Sequence, residues 1–239
     1  MCTVTYIPKP IGSGYILTSN RDESPGRPKA ESPRKHSLHN KNIFFPKDPQ
    51  AGGTWIATTE NDQTVCLLNG AFTRHEWNPP YRMSRGLVLL DFFRFDNAFT
   101  FSDQYDFNSI EPFTLLITGK KERLSIEEIR WDGSEIHYSV LNAQKPLIRS
   151  SVTLYDDEVI QKKELLFNEW IMKDPHPSAD NIIDFHSSAG FGDPHNDFVM
   201  NRDDKVRTVS ITQVIRESGS GSMKHHDLIM SDNFDLRIV

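Results

Sequence analysis

The sequence has little cysteine, no long apolar run and no excess of positive charge, and each shortage excludes a class of protein. Two cysteines among 239 residues are too few for a disulfide scaffold and are typical of a reducing compartment. Lysine and arginine number 27 against 33 aspartates and glutamates, whereas general nucleic-acid binding needs an excess of positive charge. The richest apolar run, residues 86–95, is interrupted by Asp91 and Arg94 and is far shorter than the ~20 residues of a membrane-spanning helix.

The N-terminus also lacks a targeting pattern. It reads Met1-Cys2-Thr3-Val4, without the basic and then apolar layout of a secretory leader. We therefore expect a soluble cytoplasmic protein that has no transmembrane segment and does not bind nucleic acid. The sequence does not indicate its oligomeric state.

The chain has the composition of a folded domain, because 37% of its residues are hydrophobic and 10% are aromatic. No Pro- and Gly-rich polar stretch separates two complete cores, so we predict one mixed domain over residues 1–239. Apolar residues at three-to-four-residue spacing predict helices at 85–95, 156–173 and 179–188. Runs rich in β-branched and aromatic residues predict strands at 2–7, 15–19, 54–59, 64–72, 113–118, 125–131, 135–141, 147–153, 206–215 and 224–230. Between them, residues 24–47 are rich in proline and basic side chains and are predicted to form a long loop.

Cys2 is the residue with the most distinctive chemistry. Removal of the initiator methionine would leave Cys2 with a free α-amine, whose reference pKa of about 7.7–8.0 lets it accept a proton near neutrality. An amine of this kind is a recognised base for a nucleophile on the same residue. The alternative is a small buried residue without chemistry, which is also what we expect of Cys66, between Val65 and Leu67.

A set of short motifs, in order along the chain, resembles one known family. The motifs are Met1-Cys2-Thr3, Ser19-Asn20-Arg21-Asp22-Glu23, Gly52-Gly53-Thr54-Trp55-Ile56, Leu68-Asn69-Gly70 and, less specifically, Val206-Arg207-Thr208-Val209-Ser210. The set resembles the NRDE family, also called the transport and Golgi organization protein 2 homologues. That family is considered similar to the N-terminal nucleophile hydrolases. The resemblance therefore implies an α+β fold, a four-layer α-β-β-α sandwich with two mainly antiparallel sheets.

The resemblance also implies roles for site residues. Cysteine members of the superfamily, such as bile-salt hydrolases and penicillin V acylases, cleave amides through an acyl-enzyme. By analogy Cys2 would be the nucleophile and its amine the base, and Arg21 would favour the thiolate. Asp22 would hold the amine, and Asn69 would donate to the developing oxyanion. The supporting residues would be Asn20, Glu23 and Arg207.

Each of these assignments has a plainer alternative. Successive side chains of a strand face opposite ways, so Arg21 and Asp22 can both meet Cys2 only if the chain bends. The Asn20–Glu23 segment could be a polar turn, Asn69-Gly70 another turn, and Arg207 half of an ion pair. If Met1 is retained, the free amine of Cys2 does not exist.

Two functions follow from this resemblance. The first is a hydrolase of the C–N (amide) bond of a small acyl compound, which requires no cofactor. The alternative is a non-catalytic haem or lipid/acyl-CoA carrier that uses the same pocket, because eukaryotic members are associated with haem mobilisation and lipid homeostasis. Seven phenylalanines between Phe92 and Phe113 would line such a cavity or simply pack the core.

The nine histidines do not predict a metal site. His225 and His226 are adjacent on a predicted strand and would point apart. Asp193, His195 and Asp197 alternate correctly, but they lie in a Gly- and Pro-containing loop without a further partner.

Overall fold

The computed structural model describes residues 3–10, 14–120, 122–217 and 220–238. The strands are β1 Thr3–Pro8, β2 Gly14–Glu23, β3 Glu31–Leu38, β4 Lys41–Lys47, β5 Ile56–Thr59, β6 Gln63–Asn69, β7 Phe113–Lys120, β8 Leu124–Trp131, β9 Ile136–Val140, β10 Leu147–Ser150, β11 Asn201–Arg202, β12 Val206–Glu217, β13 Ser220–Asp227 and β14 Asp232–Ile238. The helices are α1 Arg85–Phe92, α2 Ala98–Gln104, α3 Asp157–Lys173 and α4 Ala179–Ser188. None of the helices in these ranges is long and apolar enough to cross a membrane.

Contacts divide the chain into two compact units, which are described separately. The first comprises Met1–Arg27, Gln144–Ser150 and Leu154–Val239, and the second comprises Pro28–Ala143 and Ser151–Thr153. One domain over residues 1–239 stays a prediction.

The first unit is an antiparallel sheet in the order β10-β1-β2-β12-β13-β14, with β11 paired to β12. Helix α4 packs on β2 and β12, and α3 packs on β10. Ile7 and Ile16 of the sheet meet Phe167 of α3 and Phe185 of α4 in one buried cluster. Apolar residues on one face of each helix therefore cover one face of this sheet.

Both helices of the first unit begin where the sequence predicts. The Asp156 side chain accepts a hydrogen bond from the Val159 amide at 2.9 Å and caps α3. Ser178 caps α4 in the same way through the Asn181 amide, at 3.1 Å. The predicted helices 156–173 and 179–188 are confirmed.

The second unit is an antiparallel meander in which β3 to β9 pair in chain order, and α1 and α2 pack on it. The two mainly antiparallel sheets that we predicted are thus confirmed. The phenylalanine-rich segment packs the core of this unit, where Phe92, Phe93, Phe101, Phe107 and Phe113 are buried. Core packing therefore explains most of that segment.

The predicted loop at 24–47 is wrong from residue 31 onward, where β3 and β4 form a hairpin. Strand β3 pairs with β4 alone, so it is an edge strand. Charged residues and a proline such as Pro33 are tolerated on an edge, where they also discourage further strand pairing. The hairpin turn places His39 and Asn40 at positive φ, which composition did not signal. Helix α2 and strand β14 were also missed.

The Gly52-Gly53 pair allows the chain to pass against the start of α1. Gly52 has a φ of 73°, and a Cβ on Gly53 would lie 2.4 Å from the Gly86 carbonyl carbon.

We expect Gly53→Ala to lower the free energy of unfolding by about 1–3 kcal/mol, because the backbone of α1 must shift. Urea unfolding measures this. Gly26→Ala is the control, since its Cβ would meet only the Ser24 Oγ at 3.8 Å; equal losses in the two variants would contradict the argument.

Candidate functional site

The Asn20–Glu23 segment is the end of strand β2, not a turn. The whole segment pairs with β12, where Asp22 is opposite Thr208, and Asn20 also pairs with Thr3 of β1. Asn20, Arg21 and Asp22 are 0%, 5% and 4% exposed, so three polar side chains are buried in succession. Buried polar groups of this kind need hydrogen-bond partners, and these partners identify the two faces of the strand.

Asn20 faces α4 and is held by His186. The Asn20 Nδ2 donates to the carbonyl oxygens of Phe198 at 2.6 Å and of His186 at 3.2 Å. Its Oδ1 lies 2.5 Å from the Nδ1 of His186, and the Nε2 of His186 lies 2.8 Å from the Thr5 hydroxyl. Because an amide oxygen can only accept, His186 carries its proton on Nδ1, and Nε2 accepts from Thr5.

His186 is a neutral residue of the interior. It is 0% exposed, and burial together with the Lys163 ammonium lowers its pKa to about 3. Burial disfavours the charged imidazolium, which therefore does not form near neutrality. His186 fixes the position of Asn20 and is not placed to exchange protons with solvent.

Asp22 lies on the same side of β2 as Asn20. Its carboxylate accepts from the Thr208 hydroxyl at 2.5 Å and from the Tyr155 hydroxyl at 3.1 Å. Lys163 is fully buried against the same tyrosine, with its Nζ 4.4 Å from the centre of the Tyr155 ring. The same Nζ lies 4.5 Å from the centre of the Phe198 ring.

Arg21 and Glu23 lie on the opposite face, as strand alternation requires. The Arg21 Nη2 is 3.6 Å from the Glu23 Oε2, and the Arg27 Nε is 3.5 Å from the same oxygen. Across the ladder, Ser210 stands opposite Arg21, and Arg207 stands opposite Glu23. Val209 is the extra residue of a bulge between Thr208 and Ser210.

Two of the buried polar atoms on β12 that make no hydrogen bond lie on residues opposite Arg21 and Glu23. They are the Nε of Arg207 and the Oγ of Ser210, and neither has a partner among the residues that the structure describes. In folded proteins such groups are rare, and strain, a chemical role or a bound water or ion accounts for them. Arg207 therefore joins Arg21 in a cationic region of this sheet face.

Asn69 belongs to the second unit, where it ends β6. The backbone turns at Gly70, whose φ is 81° and where a Cβ would lie 2.5 Å from the Val152 Cγ2. The Asn69 carbonyl accepts from the Ser151 hydroxyl at 2.8 Å. Its side-chain amide makes no hydrogen bond within the described ranges, so it remains available to a ligand. The role of Asn69 as an oxyanion donor stays a prediction.

Cys2 lies outside the described residues, and its role as nucleophile stays a prediction. Cys66 is fully buried on β6 as a free thiol, so its prediction as a core residue is confirmed. Over the described ranges, no group of three or more His, Cys, Asp or Glu side chains could hold a metal ion.

Comparisons with known proteins agree with this architecture. A family profile described as Transport and Golgi organisation 2 matches residues 1–206. The chain belongs to the transport and Golgi organisation 2 family. A search of curated proteins found no match to this chain.

Solved structures that resemble this transport and Golgi organisation 2 family member are N-terminal nucleophile hydrolases. A variant of the conjugated bile acid hydrolase from Clostridium perfringens is 11% identical, with a TM-score of 0.61, and the match covers 100% of this chain and 92% of that one. The N-acylethanolamine-hydrolyzing acid amidase ortholog from Caenorhabditis elegans is 13% identical, with a TM-score of 0.54, and the match covers 90% and 92%. At these identities the likeness shows the fold alone. The predicted α+β, N-terminal nucleophile hydrolase-like fold is confirmed.

Sequence reasoning missed the partners of the Asn20–Glu23 segment in this family member. His186 lies on the buried face of α4 beside Ile182, Ile183 and Phe185. A histidine among apolar residues on the buried face of a helix indicates a polar partner on the sheet, and the sequence contained this signal. Tyr155 and Lys163 carried no comparable signal.

Proposed function

We propose that the protein is an N-terminal-cysteine amidohydrolase that cleaves the C–N bond of a small acyl compound, with Cys2 as nucleophile. The observation that carries the proposal is the buried Arg21 at the end of β2. The β1–β2 ladder is described to the pair Thr3 and Asn20. Arg21 follows Asn20 directly on β2, and its side chain lies on the opposite face of the strand from Asn20.

The positive charge of Arg21 is the property that would activate the Cys2 thiol. A free thiol with a pKa of about 8.5 is mostly protonated at neutral pH, and a nearby guanidinium stabilises the thiolate. Arg21 is 5% exposed, so solvent screens its charge little. Arg207, on the neighbouring strand, adds a second cation to the same face.

The proposed reaction proceeds in two steps. The Cys2 thiol gives its proton to the α-amine, and its sulfur bonds to the acyl carbon to form a tetrahedral oxyanion. The C–N bond then breaks, and the leaving amine takes the proton from the α-ammonium. Water next attacks the thioester, releasing the carboxylic acid and restoring the thiol. Asp22 would hold the α-amine.

The first experiment is intact mass spectrometry followed by alkylation with iodoacetamide under native conditions. We expect the mature chain to lack Met1 and to take up one label. Cys2→Ala should take up none, because Cys66 is buried, and Cys66→Ala should still take up one. Retention of Met1, or equal labelling of the wild type and Cys2→Ala, would remove the basis of the proposal.

The second experiment measures the contribution of Arg21. Arg21→Gln should raise the pKa of the Cys2 thiol by about one unit or more and slow alkylation at pH 6.5 about tenfold, whereas Arg21→Lys should retain part of the effect. Arg34→Gln is the matched control, since Arg34 is an exposed arginine on β3. Unchanged alkylation in Arg21→Gln would show that Arg21 does not activate the thiol.

Activity itself is tested on a panel of N-acyl 4-nitroanilides of increasing chain length. Cys2→Ala should lower the hydrolysis rate by about 10³-fold or more, as removal of a nucleophile does elsewhere. If Cys2 reacts rapidly with iodoacetamide but no anilide is turned over, the carrier alternative is tested next. Saturable binding of haem or an acyl-CoA, competing with alkylation of Cys2, would then favour it.

A further inference from the structure

The second unit contains a cavity that the proposed chemistry does not use. It lies between the β3–β4 hairpin and α1 and has a volume of about 350 Å³. Small-ligand sites usually occupy about 300–1,000 Å³. Five apolar side chains form most of its wall, namely Leu38, Phe45, Met83, Leu87 and Leu90. We call it the β3–α1 pocket.

One histidine that lines the β3–α1 pocket has a ring nitrogen without a hydrogen bond to the described residues. His36 stacks on Phe45 with ring centroids 3.9 Å apart, and its ring is hydrogen-bonded to the Phe45 backbone. Its Nε2 is buried and has no hydrogen bond to any described residue. Burial is the largest cause that lowers the pKa of His36, followed by the charges of Arg34 and Lys47. The neutral ring donates through Nδ1, so Nε2 presents an unused lone pair.

The charges around the pocket favour an anion. Lys47 lines it and forms no ion pair within the described part of the chain. The one carboxylate of the lining, Asp91, accepts from the Tyr105 hydroxyl at 3.0 Å and lies 3.7 Å from Arg94. The acid is thus already engaged, whereas the Lys47 ammonium is available.

We propose that the β3–α1 pocket binds an acyl carboxylic acid that carries a hydroxyl or N–H group close to its carboxylate. The acyl chain packs against the apolar wall, and the carboxylate pairs with Lys47. The hydroxyl or N–H donates to the His36 Nε2, which a plain fatty acid cannot satisfy at neutral pH. Each ligand group therefore answers one observed feature of the pocket. The proposal does not depend on Cys2.

The test is calorimetric titration of the whole protein with 3-hydroxydecanoate, decanoate and decanol, all below their aggregation concentrations. We expect one saturable site for 3-hydroxydecanoate, about 3- to 10-fold weaker binding of decanoate, and still weaker binding of decanol. Equal affinity for all three would mean an apolar cavity without head-group recognition and would overturn the proposal. So would the absence of saturable binding.

Two variants separate the head-group contacts. Lys47→Met keeps the apolar stem and should weaken both carboxylates at least about fivefold while leaving decanol unchanged. His36→Phe keeps the stack on Phe45 and should abolish the preference for the hydroxylated acid; His36→Leu serves if that variant does not fold. Lys35→Met is the control, because Lys35 pairs with Glu60 at 2.9 Å and does not line the pocket. If Lys35→Met weakens binding as much as Lys47→Met, the site is not the β3–α1 pocket.

Discussion

Asn20→Ala is expected to lower the free energy of unfolding by about 3–5 kcal/mol, since each buried polar group left without a partner costs about 1–3 kcal/mol. The substitution removes the acceptor of the His186 Nδ1–H and the donor to two backbone carbonyls, those of His186 and Phe198. All of these groups are buried, so water cannot replace the amide without entering the core. The loss would be a large part of the about 5–15 kcal/mol that stabilises most domains.

Urea unfolding at pH 7 measures this loss. Asn168→Ala is the matched control, because Asn168 is an exposed residue of α3 and its replacement should change stability by no more than about 0.5 kcal/mol. If Asn20→Ala is as stable as Asn168→Ala, the Asn20–His186 contact does not hold the end of β2. In that case, a Cys2 thiol of Asn20→Ala that reacts at the wild-type rate would not show whether Asn20 positions Cys2.

Acidification from pH 7 to pH 5 is expected to remove about 2 kcal/mol of stability through His186 alone. The ordinary pKa is 6.5, and in the folded protein burial lowers it to about 3. Between these values the unfolded chain binds a proton that the folded protein excludes, so stability falls as the pH falls. The contribution is fully present above pH 6.5 and is lost progressively toward pH 3.

The measurement compares urea unfolding of the wild type and His186→Gln at pH 7, 6 and 5. Carboxylates titrate in both proteins, so the difference between the two pH dependences isolates His186. The exposed His176 provides the control, because His176→Gln should keep the wild-type dependence. Identical slopes for the wild type and His186→Gln would mean that the imidazole is protonated in the folded state.

These two predictions concern one face of the Asn20–Glu23 segment, and the two faces have different roles. Asn20 bonds to His186 of α4. Asp22 bonds to Tyr155 and Thr208, and these buried contacts fix the strand. Arg21 projects to the other face, and the proposal gives it the role of stabilising the Cys2 thiolate. For Asn20→Ala we expect lower stability, with normal reactivity of the Cys2 thiol at a temperature where the variant is still folded. For substitutions of Arg21, on the second face, we expect lower reactivity of the Cys2 thiol with normal stability.

The sequence by itself determined the elements with a strong local signal. Helices α3 and α4 were predictable because capping residues and apolar spacing act within a few residues of chain. The core nature of Cys66 followed from its apolar neighbours on a strand. The ordered motifs, rather than any single one, were enough to indicate the family and its fold.

Only the tertiary structure decided what surrounds these motifs. Asn20 and His186 are 166 residues apart, and Asp22 and Thr208 are 186 apart, so no local pattern could pair them. The edge strand β3 was mistaken for a loop because an edge needs little apolar surface, and its partner β4 was missed with it. Local propensity acts over a few residues, whereas the burial that gives a polar side chain its partner and its pKa arises only when distant segments pack together.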